Sequence, residues 1–217
     1  MKAEEVIIIG AGGHSAELDD YINLYNNHSE AKIKILGYLD DDLASHGKYS
    51  FQAPLLGQIS DHEIRQDCKY MIGIANLKYR RFFVEKFLES GGKFLSFVHP
   101  TSLISPSCQL DEGVVIGPNA NVGPNAHIGA YTLINSRCSI GHDCSLGKYN
   151  FISPNVCFSG FTSIGDSNLF GINAATIPNI HIGNDNTIAA GMVIHKDVTN
   201  SETVFYRYKE RLTIVKK

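Results

Sequence analysis

An apolar residue recurs at every sixth position over about half of this 217-residue chain. The phase runs without a slip from Val98 to Ile194, and Thr176 is the one polar member of the series. The next residue is often glycine, and the fourth residue after the apolar one is usually small. A helix requires a period of about 3.6 and a simple strand a period of about 2. A period of six instead fits a short strand plus a turn, repeated around a three-sided prism whose apolar side chains stack inside.

This repeat resembles that of the hexapeptide-repeat acyltransferases, whose fold is the left-handed parallel β-helix. The resemblance implies three hexads in each coil, which is about 18 residues, and nearly six coils in this chain. Residues 18 apart are then expected to stack at the strand spacing of roughly 4.8 Å. Because the phase has no inserted loop, we predict one β-helix acyltransferase domain over residues 98–199.

The first ninety-seven residues carry a different pattern, in which strands and helices alternate. Val6 to Ile9 predicts a short buried strand, and a glycine-rich turn and a helix follow it. Ile33 to Leu39 predicts a second strand, which ends in three consecutive aspartates, Asp40 to Asp42. This alternation predicts a small parallel α/β sheet. We therefore assign residues 1–97 to a Rossmann-like domain.

The turn after the first strand, Gly10 to His14, is a candidate nucleotide site. Such a turn brings backbone N–H groups up to a phosphate, and acids at the next strand end commonly bind a nucleotide. The turn does not match GxGxxG, so a purely structural turn stays open. The motifs GAGGHS, GYLDDD and NLKYR resemble the N-terminal domain of the sialic-acid O-acetyltransferase and bacillosamine-pathway N-acetyltransferase group. The resemblance reaches about residue 198 and implies nucleotide-sugar contacts at Gly12, Gly13, His14, Asp40 and Asp41. Asn76 and Arg80 are secondary candidates, since an arginine on a helix usually faces solvent.

His142-Asp143 is the one histidine of the repeats that an acid follows directly. Transfer of an acetyl group from a thioester to an amine or hydroxyl requires an unprotonated base near neutral pH, which suits histidine. A lone surface histidine is usually idle, but the resemblance implies that His142 is the general base and Asp143 its orienting carboxylate. Gly160 lies 18 residues further on, so its backbone N–H is a candidate oxyanion donor. The expected acetyl-CoA contacts are Gly160 and, from the resemblance, Ile172 and Ala190.

Two features depart from the pattern of the group. Its members often carry a second histidine nine residues after the base, where this chain has Phe151. The segment 200–217 is assigned to a C-terminal tail, and its stretch from Val204 to Lys209 replaces the usual ending. This basic and aromatic stretch either covers the adenine or 3′-phosphate of CoA or packs on a neighbouring subunit.

Composition excludes several other classes of protein. The net charge is −3, so no basic field indicates nucleic acid. No apolar run approaches the roughly 20 residues of a membrane-spanning helix, and the charged N-terminus lacks a secretory pattern, so we expect a cytoplasmic protein without membrane insertion. The five cysteines form no CxxC pair, and the histidines lack HxH or HxxxH spacing. We therefore expect no metal.

These observations favour an acetyl-CoA-dependent N-acetyltransferase that acts on a nucleotide-linked 4-amino-4,6-dideoxy sugar for surface glycan synthesis. An amine acceptor linked to a nucleotide explains why a nucleotide-binding domain precedes the β-helix. One alternative is O-acetylation of sialic acid or another sugar, and a non-enzymatic alternative is an oligomeric scaffold or sugar-binding module. The resemblance also implies a homotrimer with CoA between adjacent subunits. The nucleotide (UDP, dTDP or GDP) stays open.

Overall fold

Residues 3–206 are described by a computed structural model. The larger part of the assigned tail, residues 207–217, lies outside the described residues. Within residues 3–206, no helix is both long and apolar enough to cross a membrane.

The N-terminal part is a small parallel sheet with two helices. Its elements are β1 (Glu4–Ile9), α1 (Gly13–His28), β2 (Ile33–Leu39), a 3-10 turn (His46–Lys48), β3 (Leu55–Gly57), β4 (Lys69–Ile72) and α2 (Leu77–Glu89). The strand order is β3-β2-β1-β4, and all pairs are parallel. The apolar run of β1 is fully buried at the centre, as expected for a parallel strand covered on both faces. The predicted small α/β sheet is confirmed.

The rest of the described chain is a three-sided parallel β-helix, so the predicted left-handed parallel β-helix is confirmed. Its strands are β5 (Phe97–Val98), β6 (Leu103–Ile104), β7 (Gln109–Leu110), β8 (Val115–Ile116), β9 (Asn121–Val122), β10 (His127–Ile128), β11 (Leu133–Ile134), β12 (Ser139–Ile140), β13 (Ser145–Leu146), β14 (Phe151–Ile152), β15 (Cys157–Phe158), β16 (Ser163–Ile164), β17 (Leu169–Phe170), β18 (Ala175–Thr176), β19 (His181–Ile182), β20 (Thr187–Ile188), β21 (Val193–Ile194) and β22 (Thr203–Val204). Each strand pairs with the strand one coil away, as Leu133 does with Phe151.

The second residue of these strands points inward and forms the core. Ile128, Ile140 and Ile152 are fully buried, and Cys138 and Cys144 fill corners between the ladders. Thr176 is the polar exception of the repeat, and its buried hydroxyl accepts a hydrogen bond from Ser159 N at 3.1 Å. A buried hydroxyl with a partner carries little penalty, so the ladder tolerates it.

The first residue of each strand points outward, and the three sides of the prism differ there. The covered face (β5, β8, β11, β14, β17, β20 and β22) carries large apolar residues that share one core with Leu18 and Ile22 of α1. The polar face (β7, β10, β13, β16 and β19) carries Gln, His and Ser. The open face (β6, β9, β12, β15, β18 and β21) carries small or apolar residues, including exposed Leu103 and Val193. The α/β sheet therefore lies on one face only.

Candidate active site

His142 lies in the turn where the open face passes into the polar face, and its side chain is 57% exposed. Its Nδ1 is 2.8 Å from Asp143 Oδ2. The hydrogen bonds from His142 and from Asn125 lower the pKa of Asp143, so this carboxyl group is ionised and accepts. We assign the proton to Nδ1 from this network, which leaves the lone pair on Nε2. The pair predicted from sequence is thus brought together in the orientation that a general base requires.

Asn125 is a part of this arrangement that sequence reasoning missed. It lies one coil below Asp143, and its Nδ2 donates to Asp143 Oδ1 at 3.0 Å. Both residues occupy the same turn position and have positive φ, 58° and 57°, a conformation that Asn and Asp tolerate. The signal was available in the sequence, since Asn125 stands 18 residues before Asp143.

Gly160 lies directly above the imidazole of His142. A Cβ at this position would be 2.7 Å from both Cε1 and Nε2 of His142, so the ring needs the absence of a side chain there. The coils below and above place Pro124 and Pro178 at the equivalent positions, which have no backbone N–H to pair. Accordingly, the Gly160 N–H has no acceptor among residues 3–206. A free donor beside Nε2 is the geometry that an oxyanion site requires.

Phe161 is a second missed neighbour of the base. Its ring stands edge-on to His142 at 5.1 Å and 88° between the planes, and the side chain is 52% exposed. A lone aromatic residue in a repeat gave no signal in the sequence, because only the fold places it beside the imidazole.

The predicted nucleotide-sugar residues lie together at the carboxyl ends of β1 and β2. Gly12 is the N-cap of α1, and the first helical bond runs from Ala16 N to Gly12 O. The N–H groups of Gly13, His14 and Ser15 therefore have no intrahelical acceptor, as at any helix start. Such a terminus favours a phosphate.

Asp40 fixes this turn from the end of β2. Its Oδ2 accepts from Ala11 N at 2.7 Å, and its Oδ1 accepts from Asp42 N at 2.9 Å. Asp41 is exposed, and its Oδ1 accepts from Ser60 N at 3.1 Å. Both acids thus border the glycine-rich turn, and Asp40 holds its backbone.

His14 connects the turn to the β-helix. Its side chain is 8% exposed, and its Nδ1 lies 3.0 Å from Glu17 Oε2. Burial, more than any other cause, lowers the pKa of His14. Its Nε2 is buried without a partner among the described residues. The ring lies 6.4 Å from that of Phe151 on the covered face, so the residue that departs from the group's pattern packs against His14.

The two secondary candidates have structural contacts. Asn76 caps α2 by accepting from Tyr79 N at 3.3 Å. The expectation that Arg80 faces solvent is wrong, because its side chain is fully buried. Its Nη1 donates to the carbonyl oxygens of Ile72 at 3.0 Å and Ile74 at 3.3 Å.

Ile172 and Ala190 stack one coil apart on a different edge, the turn between the covered face and the open face. A Cβ at Gly171 would lie 2.5 Å from Ala190 N, which shows how closely these turns stack. Both residues are exposed. Within one chain, the structure does not bring them together with His142 and Gly160. Among residues 3–206, no three His, Cys, Asp or Glu side chains group as they would to hold a metal ion.

A parallel β-helix with a His–Asp pair on its edge, joined to a small α/β sheet, is an architecture found in sugar acetyltransferases. Residues 5–87 match the family model described as the PglD N-terminal domain. UDP-N-acetylbacillosamine N-acetyltransferase from Bacillus subtilis (strain 168) is 26% identical over 115 residues, which cover 52% of this chain and 51% of that protein. This chain therefore matches about half the length of that relative.

Two solved structures are similar over nearly the whole chain. The acetyltransferase domain of PglB from Neisseria gonorrhoeae FA1090 has a TM-score of 0.83 and 25% identity, covering 92% of this chain and 95% of that one. PerB from Caulobacter crescentus, solved in complex with CoA and GDP-perosamine, has a TM-score of 0.79 and 24% identity, covering 93% and 94%. The predicted resemblance to the amino-sugar acetyltransferases is confirmed.

Proposed function

We propose that this chain is a cytoplasmic N-acetyltransferase that moves the acetyl group of acetyl-CoA to the amine of a nucleotide-linked 4-amino-4,6-dideoxy sugar. The observation that carries the proposal is the His142–Asp143 pair, whose Nε2 lies beside the free N–H of Gly160. The relatives support the substrate class, since one is named for UDP-N-acetylbacillosamine and another was solved with GDP-perosamine.

Each residue has a defined part in the reaction. His142 Nε2 takes a proton from the sugar amine as its nitrogen forms a bond to the thioester carbonyl carbon. The Gly160 N–H donates to the oxygen of the tetrahedral intermediate. Asp143 stabilises the imidazolium through Nδ1 and does not itself take the proton. When the carbon–sulfur bond breaks, the imidazolium returns the proton to the leaving thiolate. The products are the amide and CoA.

We further propose a homotrimer whose active sites lie between subunits. His142 and Phe151 are nine residues apart, which is half a coil, so they lie on opposite sides of the β-helix. Phe151 is beside His14 under the α/β sheet. The base of one chain therefore points away from the nucleotide-binding turn of the same chain, and a second copy is needed to bring them together.

The open face supports this assembly. Exposed apolar residues cluster on it and on its two edges, namely Leu103, Phe161, Ile172, Ile177 and Val193. Such a patch is typical of a protein interface. Packing the His142 edge of one copy against the Ile172 edge of the next would also join the predicted acetyl-CoA contacts, and a cyclic arrangement closes without forming filaments.

Mixing two inactive variants is expected to restore activity if the site lies between subunits. His142→Ala removes the base. Gly12→Asp places a carboxylate where the phosphate is proposed, and a Cβ at Gly12 meets nothing within 4 Å, while Asp is a favourable N-cap. Random co-assembly should restore about a quarter of the sites, because a quarter pair an intact base with an intact turn. The measurement is acetyl transfer by the co-expressed pair.

The control for this mixture is Gly12→Ala, which adds the Cβ without the charge and should stay active. If the site were within one chain, every chain in the mixture would lack one half, and no activity would return. That result would contradict the proposed assembly.

The substrate assignment is tested with purified protein and acetyl-CoA, with thiol release as the signal. UDP-, dTDP- and GDP-linked 4-amino sugars are the acceptors expected to react, with the matching 4-hydroxy sugars and free sialic acid as controls. Turnover of hydroxyl acceptors alone would favour the O-acetyltransferase alternative. No turnover with any acceptor would leave a scaffold or sugar-binding module.

A further inference from the structure

Arg80 is a buried cation without a counter-charge. No part of its side chain reaches solvent, and among the described residues nothing accepts from its Nε or Nη2. Burial lowers the pKa of Arg80 to about 9, with no carboxylate contributing, so the guanidinium is charged at neutral pH. An isolated buried charge is strongly unfavourable unless another group compensates it. A bound anion is one such group.

The guanidinium lies beneath the glycine-rich turn. It binds the carbonyl oxygens of Ile72 and Ile74, and this segment packs directly on the turn. A Cβ at Gly10 would be 3.0 Å from Ile74 Cγ1. Ser15 Oγ donates to Gly10 O at 2.7 Å and to Gly73 O at 3.3 Å, which joins the two segments.

The charge of Arg80 reaches the first turn of α1. The pKa of His14 is lowered first by burial and also by the positive charge of Arg80. His14 Nε2 is itself buried without a partner among residues 3–206. The unpaired N–H groups of Gly13 and Ser15 lie in the same helix turn. Helix dipole and arginine therefore present positive potential at one place.

We propose that Arg80 is a positioning residue for a diphosphate: from beneath the turn, its guanidinium supplies the positive charge that holds the anion against the N–H groups of α1. The proposal rests on the proposed function, in which the diphosphate is the nucleotide-linked part of the sugar substrate. Arg80 does not touch the substrate. It makes the free protein less stable and the anion-bound protein more stable.

Two substitutions separate the charge of Arg80 from its hydrogen bonds. Arg80→Gln and Arg80→Lys both keep a donor for the Ile72 and Ile74 carbonyl groups, but only lysine keeps the charge. Calorimetric titration with inorganic pyrophosphate, UDP and GDP measures the anion affinity. Arg80→Gln should weaken pyrophosphate binding by about tenfold or more, whereas Arg80→Lys should bind within about threefold of the wild type. Uridine and guanosine, which lack phosphates, should be unaffected by either change.

A difference of less than about threefold between the two variants overturns the proposal, as does a wild-type chain that does not bind pyrophosphate at about 10 mM. If a variant does not fold, the wild-type chain decides by nitrogen-15 NMR. The slowly exchanging Nε–H signal of buried Arg80 must then shift on addition of pyrophosphate and stay unchanged with uridine.

Acetyl transfer is measured separately, so that the two proposals can fail independently. Anion binding through Arg80 without any acetyl transfer would leave this inference standing and contradict the proposed function. Acetyl transfer with an unchanged KM for the sugar nucleotide in Arg80→Gln would contradict this inference alone. The expected result is a raised KM for the sugar nucleotide with kcat and the KM for acetyl-CoA retained.

Discussion

Replacing His142 with alanine is expected to lower kcat by about 10²–10⁴-fold, the usual loss when a general base is removed. The affinity for acetyl-CoA should change little, because Nε2 faces the acceptor amine in the proposed reaction. The measurement is kcat at saturating concentrations of both substrates. A loss below about threefold would show that His142 positions the substrate and that the base is another group.

The chain contains a matched control for this variant. His127 is also paired with an aspartate, since its Nε2 lies 3.0 Å from Asp111 Oδ1. It lies on the polar face, away from Gly160. His127→Ala should therefore retain activity, so that a loss in His142→Ala cannot be attributed to removing a His–Asp pair from the β-helix. Asp143→Asn should have an intermediate effect, since it removes a charge but leaves the imidazole in place.

The fold was predictable because one physical requirement repeats seventeen times along the sequence. Every inward position must be apolar, so the period survives even where the outward residues vary. The covered face was also within reach. When the outward residues are sorted at intervals of 18, the series that contains Phe97, Val115, Leu133, Phe151 and Leu169 is apolar, and such a series predicts a face that another part of the chain covers.

The candidate site was only partly predictable. The His142–Asp143 pair is adjacent in sequence, and Gly160 follows from the coil length, so both could be placed by arithmetic. Arg80 could not, because an arginine on an amphipathic helix indicates a solvated side in any reading by pattern. Its burial depends on how α2 packs on the carboxyl end of β4, which the sequence pattern does not specify. The separation of His142 from the glycine-rich turn likewise depends on which face the α/β sheet covers.

Replacing Gly160 with alanine is expected to lower kcat by about 100-fold, since displacing a catalytic group by about 1 Å has effects of this size. The added Cβ would lie 2.7 Å from His142 Nε2, so the imidazole must move away from Asp143 or from the acceptor. The backbone of Gly160 is not in the left-handed region, and alanine therefore introduces no backbone strain. The variant should fold with a melting temperature close to that of the wild type.

A double variant identifies the cause of this loss. If Gly160→Ala acts by displacing the imidazole, adding it to His142→Ala should cost nothing further, because the displaced group is already absent. If it instead blocks the bound thioester or the oxyanion donor, the double variant should be slower than His142→Ala by a factor similar to that of the single change. The comparison uses kcat of the four proteins under the same conditions. A double variant as active as His142→Ala would assign to Gly160 the role of making room for the base.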